Sequence, residues 1–154
     1  MPGTTLRNSD LLRREPTTIP FSNEAMKASL LRLQNEWETV QASRDRGAIY
    51  QYLSAVFELV ESWAKESRAV NRAYRALQLR GHNSAREPEP FAAVIFCTSD
   101  PEKVDDRARS KWSRVLRYAA EFKDLDESLR DFIKRRGGIN ECAARFSRRL
   151  GRLS

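Results

Sequence analysis

From Met26 onward the apolar residues of this chain recur at steps of three and four. Met26, Leu30, Leu33, Trp37 and Val40 form the first such series. That spacing keeps apolar side chains on one side of a helix and predicts a heptad seam. Ser22 suits the N-cap, with Phe21 and Met26 at the spacing of a hydrophobic staple. Gly47 is the expected stop. The second series is longer: Ile49, Leu53, Val56, Val60, Trp63, Val70, Tyr74 and Leu77, with Ser67 as its one polar insertion. Tyr50, Phe57 and Ala64 widen the stripe. Neither Gly nor Pro interrupts residues 48–80, so the pattern predicts one helix of roughly 50 Å. The first helix is about half as long. Trp63 to Leu77 therefore need another cover, either the C-terminal part of the chain or a second copy. A homodimer through the stripe from Ile49 to Leu77 is one expectation.

Residues 81–90, GHNSAREPEP, have the composition of a linker. Phe91 to Cys97 is an apolar run that could suit a buried strand. Pro90 stands where a helix accepts proline, and no second strand is present to pair with it, so a short helix is expected. Residues near 105–122 separate by angle. Trp112, Val115, Leu116, Ala119 and Phe122 share one face, and Arg107, Lys111, Arg114 and Arg117 lie opposite, with Tyr118 among them. Asp124 to Glu127 has capping-box spacing and opens a helix carrying Leu129, Phe132 and Ile133. Lys134, Arg135 and Arg136 close that helix, where cations complement the dipole, and Gly137 ends it. Ile139, Cys142, Ala143, Phe146 and Leu150 define the last helix, flanked by Arg145, Arg148, Arg149 and Arg152.

The fold class is thus all-α: a long antiparallel helical hairpin plus a compact C-terminal set of short helices. The expected organisation is a disordered N-terminal arm (1–21), the hairpin (22–80), a linker (81–90) and a basic helical module (91–154).

Charge sharpens this division. Residues 107–154 hold 14 Arg and Lys against 6 Asp and Glu, whereas the first 106 hold 14 against 15. The whole formal charge of +7 belongs to the last third. Guanidinium forks bind phosphate bidentately and stack on bases, so a basic helical module points to nucleic acid. The expected phosphate contacts are Arg107, Lys111, Arg114, Arg117, Lys134, Arg135, Arg136, Arg145, Arg148, Arg149 and Arg152. Tyr118, an aromatic among cations, is the candidate stacking residue. This reading requires the late cations to share a face and to be free of the chain's own carboxylates.

GGINECAARF, residues 137–146, is similar to the first helix of Fis-like DNA-binding helix-turn-helix units, in which a Gly-rich turn precedes a helix of small residues. That resemblance implies DNA binding. In those units a turn and a recognition helix follow; here SRRLGRLS follows, so no base-reading role is carried across.

Other chemistries find little support. The single histidine, His82, lies in the linker, and Cys97 and Cys142 have core rather than ligand spacing. Glu58 with Glu61, and Asp105 with Asp106, are carboxylate pairs of the kind found on solvated helix faces. No phosphate loop or nucleophile elbow is present, so no catalytic residue, metal or other cofactor is expected. Two cysteines and the lack of a long apolar run suit an intracellular protein. The function expected is a small nucleic-acid-binding protein, DNA or RNA, acting as a regulator or accessory factor. The alternative is a helical adaptor docking an acidic protein partner; a basic surface on an anionic membrane is weaker, because the apolar faces have the width of core packing.

Overall fold

The structure, a computed structural model, describes residues 22–83, 86–100 and 102–153. The expected arm and the staple residue Phe21 lie outside them. Every regular element among the described residues is helical. Helix α1 spans Asn23–Ala42, α2 Ile49–Lys65, α3 Ala69–Leu79, α4 Pro90–Thr98, α5 Asp106–Phe122, α6 Leu129–Arg135 and α7 Ile139–Leu153.

Local chemistry accounts for the starts. Ser22 Oγ accepts from Ala25 N at 3.0 Å and caps α1. Glu89 caps α4 by accepting from Phe91 N and Ala92 N, with Pro90 at the first position. Asp105 caps α5. The helix expected to open at Asp124 opens four residues later. Ser128 Oγ accepts from Asp131 N, and Glu127 is drawn away to Arg135. Helix α1 stops at Ser43 rather than Gly47, and Gly47 sits in the 3-10 turn Arg46–Ala48 that leads into α2.

The single long helix expected over 48–80 is two helices. Ser67 adopts φ +57, Ser67 N–H donates to Ala64 O, and Arg68 N–H reaches back to Trp63 O. This is the Schellman arrangement, formed without glycine. An L-residue in the left-handed region costs about 1–2 kcal/mol, which the sequence pattern does not register. Arg72 spans the break and pairs with both carboxylate oxygens of Glu66. Past the break the buried positions change phase: Ala73 and Ala76 are fully buried, while Val70, Tyr74 and Leu77 are half-buried. The two alanines let α3 lie close against α4. With the break, Trp63 is buried within the chain itself and Leu77 packs against the same core.

Helix α2 is the axis of the core. Tyr52, Leu53, Val56, Phe57, Leu59, Val60 and Trp63 are all buried, and α1, α3, α4, α5 and α6 pack around them. Trp37 of α1, Tyr52 and Trp112 of α5 form an aromatic cluster with centroids 5.2 to 6.4 Å apart. Tyr52 Oη and Thr98 Oγ1 share a buried hydrogen bond of 2.7 Å, and Thr98 donates on to Val94 O. One hydrophobic cluster runs from Met26 to Phe146, drawing residues from both sides of segment 81–90.

Candidate nucleic-acid interface

Phosphate contacts from the basic side of α5 require that side to face solvent. Helix α7 packs on it instead. Arg114 donates to Ser147 Oγ at 2.6 Å, Arg117 lies 4.6 Å over the Phe146 ring, and Arg149 donates to Glu121 at 2.6 Å. The physical reason is the apolar series of α7. Cys142, Ala143 and Phe146 bury themselves, and α5 offers Tyr118 and the aliphatic stems of its arginines as the seat.

Tyr118 is therefore not a free stacking residue. It is 5% exposed, packs against Phe122 and Phe132, and its hydroxyl accepts from Arg136 Nη1 at 3.0 Å.

The expected cations divide into four groups. Arg114 and Arg117 join α5 to α7. Arg135 is held by Glu127 through two hydrogen bonds, which keeps the Glu127 carboxyl below its ordinary range. Arg107, Lys111 and Lys134 make no ion pair among the described residues. The side chain of Arg152 lies outside the described residues.

The fourth group converges. Arg145, Arg148 and Arg149 line a cleft of about 270 Å³ together with Tyr118 and Phe122. Arg136 sits beside it, its guanidinium carbon 5.7 Å from the Tyr118 ring, 5.8 Å from Phe122 and 5.4 Å from Phe132. Arg149 lies 5.2 Å from the Phe122 ring. Hydrogen bonding to Tyr118 and then Glu141 pushes the Arg145 guanidinium above its ordinary value.

Two carboxylates reach this group. Glu141 Oε1 accepts from Arg145 Nε and Arg148 Nη2, and Glu121 accepts from Arg149 Nε. Four guanidinium groups thus face two carboxylates. Each of these bonds engages one nitrogen of a group that carries five N–H donors, so outward donors remain. Among the described residues Arg136 has no carboxylate in hydrogen-bonding contact, and its Nε is buried without an acceptor.

The residue overlooked in the sequence is Phe122. Its angle assigns it to the apolar face, but it ends α5 and its ring is 38% exposed, beside Arg149 and Arg136. The available signal was its place on the last turn, beyond the reach of the helices that cover the rest of that face.

A larger cleft, about 830 Å³, lies between α1, the end of α3 and the end of α4. Glu38, Asp100, Arg80 and Lys103 line it together with Trp37 and Phe96. His82 leans on the Phe96 ring at 4.5 Å. Burial pushes the Cys97 thiol up to about 11, which leaves it protonated and unreactive. Among the described residues no group of three or more His, Cys, Asp or Glu could hold a metal ion, and no helix is long and apolar enough to cross a membrane. Comparisons with protein-family models, with curated proteins and with solved structures found no match for this chain.

Proposed function

We propose that this protein binds nucleic acid through the arginine cleft between α5 and α7. The observation that supports this reading is the convergence of Arg145, Arg148 and Arg149 on one cleft, with Arg136 beside it and two carboxylates between them. A partly shielded cluster with surplus positive charge favours an anion, and phosphate oxygens match the guanidinium fork. The other late cations add general attraction, in keeping with a pI near 9.8. The role is that of a regulator or accessory factor, with contacts to the phosphate backbone.

The test is fluorescence anisotropy with labelled DNA and RNA oligonucleotides across a salt series. Log affinity should fall linearly with log salt, with a slope of about −2 to −4 if three or four phosphates are engaged. Affinity that does not change from low to moderate salt, or no binding at low salt, overturns the reading.

A second reading, an adaptor docking an acidic protein segment, draws on Phe122 and Leu150. Both are exposed, at 38% and 40%, and Phe122 lies beside the Arg149 guanidinium. Pull-down with and without nuclease separates the two, since partners lost on digestion came through nucleic acid.

A further inference from the structure

We infer that the arginine cleft takes an unpaired nucleotide, with the base stacked at Phe122 and the flanking phosphates on Arg145, Arg148 and Arg149. This rests on the nucleic-acid reading above and names which form of nucleic acid it serves. Three observations carry it.

The first is the ring. Phe122 closes α5 with more than a third of its surface exposed, and the Arg149 guanidinium lies 5.2 Å from its centroid. An exposed phenyl ring and a guanidinium plane are the two surfaces on which a nucleobase stacks. In a duplex the faces of each base are covered by neighbouring pairs. Only an unpaired or flipped-out base can present its face to a side chain.

The second is shape. Reading a duplex groove needs an element that projects into it. Helix α7 does not project: Cys142, Ala143 and Phe146 face inward, and Ser147 and Arg149 hydrogen-bond to α5. The site is a recess of about 270 Å³, a concave space for one nucleotide.

The third is support. Tyr118 lies 5.0 Å from Phe122 and is itself fixed by Arg136, which also approaches Phe122 and Phe132. The stacking ring is therefore backed by a buried aromatic and cation cluster, and base stacking at it needs little reordering.

The experiment measures binding of the full chain to a short single-stranded oligonucleotide, in DNA and RNA form, and to the same sequence as a duplex at the same salt. The expected result is tighter binding of a single strand than of its duplex by about tenfold or more. Phe122→Ala and the more conservative Phe122→Leu should each weaken single-strand binding by about tenfold to a hundredfold. The salt slope should not change, and thermal melting of the variants should stay cooperative. A preference for RNA over DNA, or the reverse, supports the inference equally and identifies the source of the strand. Equal affinity for duplex and single strand, or Phe122 variants that bind like the parent, overturns the inference; if binding stays steeply salt-dependent, the broader nucleic-acid reading survives. Absence of binding to every oligonucleotide at low salt overturns both.

Discussion

Two clefts among the described residues, one between α1, α3 and α4 and one between α5 and α7, differ in the charge of their walls. The larger one is lined by Glu38, Asp100, Arg80 and Lys103, two carboxylates and two cations whose formal charges cancel. The smaller one gathers Arg145, Arg148 and Arg149 around two rings, with Arg136 beside them, and two carboxylates reach them. Volume alone would select the first. Surplus formal charge selects the second, because its arginines outnumber the two carboxylates that reach them and an anion gains most where the local charge is positive.

The largest expected difference between them comes from removing charge. Replacing Arg145, Arg148 and Arg149 together by Gln should weaken oligonucleotide binding by at least about a hundredfold at low salt and flatten the salt slope by about two to three. The matching double variant of the larger cleft, Arg80→Gln with Lys103→Gln, should change affinity less than about threefold. If both sets weaken binding alike, the cleft has no special standing and only the net charge of the chain matters.

The turns that place each cleft's walls offer the next contrast. Gly137 leads into α7 at φ +105, and a Cβ there would meet Glu141 Cγ at 3.0 Å. Gly137→Ala should therefore destabilise the fold by about 1–3 kcal/mol and lower the melting temperature by several degrees. Ser67 governs the start of α3, whose end brings Arg80 to the larger cleft. Ser67→Gly relieves a left-handed φ and should stabilise by about 1 kcal/mol, or roughly 2–4 °C. If 48–80 were one continuous helix, the same change would destabilise by a similar amount, so the sign of the shift decides.

The smallest effect concerns Glu141. Its carboxyl is held below the ordinary range by hydrogen bonds from Arg148 and Arg145. A depressed carboxyl contributes its stability above the unfolded value, about pH 4.3, and loses it as pH falls through the folded value. Glu141→Gln should thus lower the melting temperature slightly at pH 7 and not at all in strong acid. By freeing two guanidinium groups, it should also raise oligonucleotide affinity a few-fold. A variant that binds more weakly would show that Glu141 positions the arginines rather than competing for them.

Much of this was legible in the residues. Ser22, Pro90 and Gly137 mark helix ends by means that local chemistry requires, and the three-and-four rhythm finds the helices. The break at Ser67 was not legible, because serine carries no signal for a left-handed turn. Here tertiary packing of Ala73 and Ala76 against α4 outweighs the local cost. The cations illustrate a second limit. A helical wheel orders Arg114, Arg117 and Tyr118 around one axis, but it does not reveal that another helix will lie on them. Convergence of Arg136 with Arg145, Arg148 and Arg149 depends on the angle between α6 and α7, which no periodicity encodes.

The burial of Cys142 has a practical outcome. Its thiol points at the Ile133 carbonyl, 3.8 Å away, where α6 meets α7, and burial raises it above its usual value. Alkylation there must wait for the corner to open, so the rate of thiol labelling becomes a clock for that opening. A compound gripping α7 slows the clock, and the chain carries the reporter without any engineered probe.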